Sequence, residues 1–169
     1  MTDTKLLQEI TLRELAQGDE VLINEFFDCM GGESRSLFNR RDYNRRGALK
    51  FCAHPDPTRR YFLAEYQGKM AGYVFFMDFD TSIPQLGLAV RDELAGRGLG
   101  GYLVSFAVDM AKKAGKGGIQ LTTHVANLRA QTLYEKMGFT LIGPTKNGTE
   151  FFYLYRYREK NEAGCGARC

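Results

Sequence analysis

Hydrophobic positions along the chain recur with two different periods, and the order of the runs predicts a mixed sheet covered by helices. Residues 6–15, LLQEITLREL, alternate well enough for an opening strand. In GDEVLINEFFDCM, residues 18–30, Val21, Leu22, Phe26 and Met30 return at helical spacing. From Gly31 to Arg60 neither period persists, and this part is expected to be loop-like. YFLAEY (61–66) and AGYVFFMDF (71–79), rich in aromatic and β-branched residues, flank the turn QGKM and predict an antiparallel hairpin. QLGLAV (85–90) follows Pro84 as another strand. Leu99, Tyr102, Leu103, Phe106, Ala107, Met110 and Ala111 then mark an amphipathic helix, stopped by Gly115, Gly117 and Gly118. IQLTTHV (119–125) reads as a strand, and LRAQTLYEKM (128–137) as a short helix closed by Gly138. Two last strands, near 139–142 and 150–157, surround the turn GPTKNG. The predicted order is β-α-loop-β-β-β-α-β-α-β-β, an α/β fold with a mixed, mostly antiparallel sheet of about seven strands flanked by helices.

Length supports one domain rather than two: 169 residues with 44% hydrophobic content make a single substantial core. The domain is expected over residues 1–160, with NEAGCGARC (161–169) as a disordered tail. A net charge of +3 argues against a dedicated nucleic-acid binder. No apolar run approaches the roughly 18 residues of a membrane span, and no leader pattern opens the chain, so a cytoplasmic protein with no membrane partner is expected. Cys29, Cys52, Cys165 and Cys169 lack metal-ligand spacing, and no metal is expected. Charge is concentrated locally: Arg35, Arg40, Arg41, Arg45, Arg46, Lys50, Arg59 and Arg60 face only Asp42 and Asp56 in that stretch.

The candidate chemistry begins at LAGRGLGGYLV, residues 94–104. A helix that starts on a glycine-rich turn offers unpaired N–H groups and the positive end of its dipole to phosphate oxygens. Gly96, Gly98 and Gly101 satisfy the letters of a dinucleotide fingerprint. That motif also needs a strand immediately before it and an acidic residue about 20 positions on. Five residues separate Val90 from Gly96, and Lys116–His124 contains no acid. The nucleoside triphosphate loop GxxxxGK[ST] does not occur. Coenzyme A pyrophosphate and a plain helix-capping turn remain.

A second motif, NLRAQTLYEKMGF (127–139), follows a strand and opens a helix. Together with LAGRGLG about thirty residues earlier, it resembles the two cofactor motifs of the GNAT superfamily of acyl-CoA-dependent N-acyltransferases, strongly over residues 85–139. The resemblance implies acetyl-CoA as co-substrate, with the backbone of Leu88, Ala89 and Val90 pairing with the pantetheine arm. It further implies that Gly96, Gly98, Leu99, Gly100 and Gly101 grip the pyrophosphate, that Arg97 adds its guanidinium, and that Asn127 and Ala130 meet the arm further along. Ala95 stands where the family usually has Gln or Arg. Tyr134, two helical turns beyond Asn127, is implied as the general acid for the departing thiolate.

No equally specific signal marks the general base. Gln85 stands where many members carry an acid and, being unable to act as a base, is expected to position water or the acceptor. Glu33, in the GGESR turn, is the base candidate, with Asp78, Asp80, His54 and His124 behind it. The arginine segment lies where the family builds its acceptor wall, which suggests an anionic amine acceptor. The expected activity is transfer of acetyl from acetyl-CoA to a primary amine of a small molecule or peptide. No cysteine motif suggests a covalent intermediate. The alternatives are a catalytically silent acyl-CoA-binding or sensor domain and an RNA-associated protein using the arginines. A monomer or homodimer is expected, the aromatic run EFFYLYRY offering a sheet edge for a dimer.

Overall fold

The structure, a computed structural model, describes residues 1–158. The tail expected at 161–169, with Cys165 and Cys169, lies outside the described residues. Seven strands form one sheet in the order β1-β2-β3-β4-β5-β7-β6. They are β1 (Thr11–Glu14), β2 (Arg60–Tyr66), β3 (Lys69–Met77), β4 (Gln85–Val90), β5 (Gly118–His124), β6 (Thr140–Pro144) and β7 (Glu150–Arg156). Every neighbouring pair is antiparallel except β4 and β5, which run parallel.

The alternation of β3 and β4 divides two cores. Val74, Phe76 and Leu86 turn to the face covered by α5 (Leu99–Lys113), where Leu103, Val104 and Ala107 are buried. Tyr61, Tyr73 and Phe75 turn to the opposite face, beneath α2 (Glu20–Asp28) and α4 (Tyr43–Ala53). There Phe75 folds its ring over Gly87 on the adjacent strand; a Cβ at Gly87 would sit 2.2 Å from Phe75 Cζ. The β2–β3 turn is a two-residue turn at Gln67 (φ 51°) and Gly68 (φ 74°), left-handed at both positions as hairpin twist requires.

Four expectations need correction. Residues 4–9 are a helix, α1 (Thr4–Glu9), because Asp3 caps it by accepting from Leu6 N at 3.0 Å and Leu6 is buried; the strand is confined to Thr11–Glu14. The segment expected as loop holds α3 (Gly32–Phe38), a short 3-10 turn and α4. Its helical signal is small: α4 buries only Ala48 and Cys52, and its start is fixed by the buried Asn39, whose Oδ1 accepts from Asn44 N and Arg45 N. In α2 the buried face is Ile23, Phe26 and Phe27, while Val21 is exposed. The suggested dimer edge also fails. β7 is paired on both sides, by β5 and β6, and β6 forms the edge of the sheet.

Asp19 ties β1 to α2. Its two carboxylate oxygens accept from Arg13 Nη1 and Nη2, each at 2.8 Å, and Oδ2 also accepts from Ala16 N. The Arg13 bonds hold its carboxyl below the usual carboxylate range. The folded state thus binds this proton less readily than the unfolded chain, so the contribution is complete above about pH 4 and is lost as pH falls through the folded value. Urea midpoints measured from pH 6 down to pH 2 are expected to fall over the acid end of that range. Asp19→Asn should be less stable at pH 6 and show a shallower acid slope.

Candidate active site

β4 and β5 share a single register pair, Gln85↔Gln120, supported by Gln120 N donating to Pro84 O at 3.0 Å. Beyond that point the strands part, while β4 stays paired with β3 through Val90 and β5 stays paired with β7 through His124. A cleft results that is closed at Gln85 and open toward Val90. The edge of β4 at Leu88, Ala89 and Val90 has no β5 partner among the described residues.

At the open end the chain makes a 3-10 turn (Asp92–Leu94) and then the glycine loop. Gly96 (φ 76°) and Gly98 (φ 93°) are left-handed, and a Cβ at Gly96 would meet nothing within 4 Å, so the loop leaves room for a ligand to approach its backbone. Leu99 is buried and anchors the start of α5. Tyr102 N is the first to donate back along α5, to Gly98 O at 3.1 Å, which frees the N–H groups of the preceding turn. Gly100 and Gly101 have a second use. Leu133 of α6 (Leu128–Lys136) lies against both, and a Cβ at Gly100 would stand 3.1 Å from Leu133 Cδ2. Their missing side chains let α6 approach α5.

Arg97, expected to add its guanidinium to a phosphate, is engaged by Asp3. Its Nε and Nη2 donate to Asp3 Oδ2 at 3.0 and 2.6 Å, and Asp3 N donates to Arg97 O at 2.9 Å. Thr2 lies against Gly98. Any phosphate must share Arg97 with the Asp3 carboxylate. Sequence spacing could not show this, since the partners are 94 residues apart.

On α6, Asn127 is the N-cap and accepts from Ala130 N at 3.2 Å. The Ala130 N–H is thereby occupied, while Asn127 keeps its Nδ2 donors and a second lone pair on Oδ1. Tyr134 is buried, with ring centroids 6.0 Å from Tyr153 and 5.8 Å from Phe139. Tyr153 pairs with Leu121, one residue past the Gln85↔Gln120 pair, so Tyr134 belongs to the closed end of the cleft. Burial alone pushes its phenol far above the usual value.

Gln85 is exposed at that same end, and its Nε2 donates to Asp78 Oδ2 at 3.1 Å. Glu33 is exposed in the first turn of α3, beside the open end. The two ends of β4 are about 16 Å apart at the rise of an extended strand. The structure therefore groups Gln85 with Asp78 on the face shared by Met77 and Phe75, leaves Tyr134 at the same end but in the core on the α5 face, and sets Glu33 apart from Gln85. Asp78 follows β3 directly, and the Met77↔Gln85 register pair brings it beside Gln85. Asp80 and His54 are exposed, and His124 Nδ1 accepts from Ala126 N at 3.1 Å. Cys52 is buried and its thiol is pushed up to about 11, which suits packing rather than nucleophilic attack.

The arginine segment is largely used internally. Arg45 pairs with Asp28 (2.5 Å) and Asp42 (3.5 Å), Arg60 with Glu14 (3.4 Å) and Arg59 with Asp56 (3.9 Å). Arg35 donates to the carbonyls of Phe27 and Met30, and Arg46 to those of Asp42 and Arg41. A cavity of about 650 Å³ among α2, α3 and α4 is lined by Asp28 and Asp42 as well as Arg35, Arg41 and Arg45. Its walls carry both signs. Among the described residues no three His, Cys, Asp or Glu side chains gather to hold a metal ion, and no helix is long and apolar enough to cross a membrane.

A seven-stranded mixed sheet flanked by helices is the architecture of an acyltransferase family. The chain belongs to the Acetyltransferase (GNAT) family, whose model matches residues 21–139. It is 32% identical over 94 residues to a Bacillus subtilis (strain 168) protein assigned provisionally as a ribosomal protein bS18-alanine N-acetyltransferase, covering 54% of this chain and 61% of that protein. It is 25% identical over 142 residues to an uncharacterized N-acetyltransferase of Methanocaldococcus jannaschii, covering 79% and 62%. The chain thus spans about three fifths of the length of these curated relatives. Its fold is similar to the GNAT domain of S. lividans PAT, with TM-score 0.75, 17% identity and coverage of 86% and 89%. It is also similar to a spermidine N-acetyltransferase from Vibrio cholerae solved with CoA and spermine, with TM-score 0.71, 22% identity and coverage of 88% and 96%.

The two left-handed glycines differ in their surroundings, and this separates backbone cost from crowding. Gly96→Ala adds a methyl into open space and should cost about 1–2 kcal/mol from its left-handed backbone. Gly98→Ala also meets Thr2 Cγ2 at 3.0 Å and should lower the thermal midpoint further. Equal midpoints for the two variants would show that Thr2 gives way freely.

Proposed function

We propose that the protein transfers the acetyl group of acetyl-CoA to a primary amine of a small molecule or peptide by direct attack. The observation that carries this reading is the cleft between β4 and β5, which is unpaired from Leu88 to Val90, meets the Gly96–Gly98 loop at its mouth and ends beside Tyr134. The residues present fit the co-substrate. Leu88–Val90 would take the pantetheine arm as an added strand, Asn127 Nδ2 would donate to it, and the first turn of α5 with Gly96–Gly101 would hold the pyrophosphate. Arg97 would reach a phosphate by sharing its guanidinium with Asp3.

In the reaction the amine nitrogen bonds to the acetyl carbon while the carbon–sulfur bond breaks. Tyr134 donates to the sulfur as negative charge develops there; its raised pKa keeps the phenol protonated until that moment. The proton released by the amine passes to a carboxylate. Asp78, bonded to Gln85 at Tyr134's end of the cleft, takes that role in our reading, with Gln85 positioning the water or the amine. Glu33, at the open end, is the competing candidate.

Thiol release from acetyl-CoA tests the activity over a panel of amines: a bS18-like peptide beginning with alanine, spermidine, and free amino acids. Release that depends on one of them is expected. A second reading, a silent coenzyme A binder, draws support from Gln85 in the acid's place and from the Asp3 hold on Arg97. Binding without turnover across the panel would establish it. Tyr134→Phe should lower kcat by roughly 10²-fold with CoA affinity within about threefold of wild type. Wild-type kcat in that variant removes Tyr134 from the mechanism.

For the base, Asp78→Asn should lower kcat about tenfold or more and flatten the acid limb of the pH–rate profile, while Glu33→Gln leaves that limb in place. The reverse pattern assigns the base to Glu33.

A further inference from the structure

We infer that Asp92, with Arg91 beside it, is a positioning residue that ties the phosphate-binding loop to the helices over the open end of the cleft. The seat for coenzyme A and that wall then respond as one unit. The inference rests on the site reading above, because it takes the Gly96–Gly101 turn as the pyrophosphate seat.

Arg91 and Asp92 directly follow Val90, the last residue of β4, and precede the glycine loop by a few residues. Both send their side chains away from that loop. Asp92 Oδ2 accepts from Gly31 N at 2.7 Å, and Oδ1 accepts from Ser34 Oγ at 2.6 Å, partners 61 and 58 residues distant. Together these bonds cap α3. Gly31 gives that helix no side-chain cap and none of its seven residues is fully buried, so its start rests on Asp92, while Arg35, donating to Phe27 O and Met30 O, and Phe38, edge-on to Tyr73, hold the rest. The fit is close, since a Cβ at Gly31 would stand 3.0 Å from Asp92 Oδ2.

Arg91 makes the parallel attachment to α2. Its Nη1 donates to Glu25 Oε1 at 3.0 Å and its Nη2 to Glu25 Oε2, while Nε donates to Met70 O at 2.9 Å. Its guanidinium lies 5.8 Å from the Phe26 ring centroid. The backbone of the same turn runs into the loop: Leu94 N donates to Arg91 O and Ala95 N to Asp92 O, and Gly96 follows. α3 in turn packs against β5, across the cleft from β4. A ligand that fixes Gly96–Gly98 therefore removes freedom from a short turn whose side chains cap one helix and pin another.

Amide hydrogen exchange with CoA itself as the probe tests this without any acceptor. In the wild type, saturating CoA should slow exchange at 96–101 and, by at least about threefold, at 31–38. In Asp92→Ala the slowing at 96–101 should persist, with CoA affinity within about threefold, while that at 31–38 disappears. Asp92→Asn should restore it, because its Oδ1 still accepts from Gly31 N and its Nδ2 can donate to Ser34 Oγ; a role based on charge alone would not be rescued. Ser34→Ala removes only one of the two bonds and should lose part of the effect, which provides the readout if Asp92→Ala does not fold. Protection of 96–101 without 31–38 in the wild type, or full protection of 31–38 in both alanine variants, overturns the inference and leaves the site reading intact. No CoA protection anywhere overturns both.

Discussion

Parallel strands β4 and β5 are in register only at Gln85 and Gln120, and their separation beyond that pair shapes everything that follows. Backbone N–H and C=O groups that leave a ladder must be satisfied by water or by a ligand, so an opened pair inside a sheet is both a cost and a binding surface. Here both strands are supported on their outer sides, β4 by β3 and β5 by β7, which lets them part without unravelling the sheet. Because β4 leads into the glycine turn and α5, the opening brings a free helix N-terminus to the mouth of the cleft. Because β5 leads into α6, it brings Tyr134 to the opposite end.

Charge distribution follows the same division of labour. Most arginines between residues 35 and 60 end on carboxylates or on carbonyls of the protein itself, several of them on β1 and α2, and Arg97 ends on Asp3. These contacts fasten elements with small apolar faces, such as α4 with only Ala48 and Cys52 buried, where packing alone supplies little. Arg91 and Asp92 are the outstanding case. Their sequence position puts them next to the cleft, while their side chains hold α2 and α3.

Elements with a strong period were legible in the chain: the β2–β3 hairpin, β4, α5, β5 and α6 lie within a residue or two of where alternation and i, i+4 spacing put them. Elements held by polar contacts were not. α1 depends on the Asp3 cap and one buried leucine, and the start of α3 on an aspartate 58–61 residues away with Arg35 bonded to carbonyls of Phe27 and Met30, so polar contacts rather than a hydrophobic period define both. The loop glycines were read correctly as a turn before a helix. Only packing revealed that Gly100 and Gly101 also admit Leu133.

By itself, the sequence determined the order of strands and helices, the glycine turn before α5 and the Asn127-to-Tyr134 spacing on α6, because each rests on local periodicity or on contacts within two helical turns. Tertiary structure alone decided which charged groups are free. Arg97 is claimed by Asp3, Gln85 is joined to Asp78, and Glu33 is carried to the other end of β4. A charged side chain reaches several ångströms in any direction, and its partner is chosen by the fold rather than by spacing along the chain.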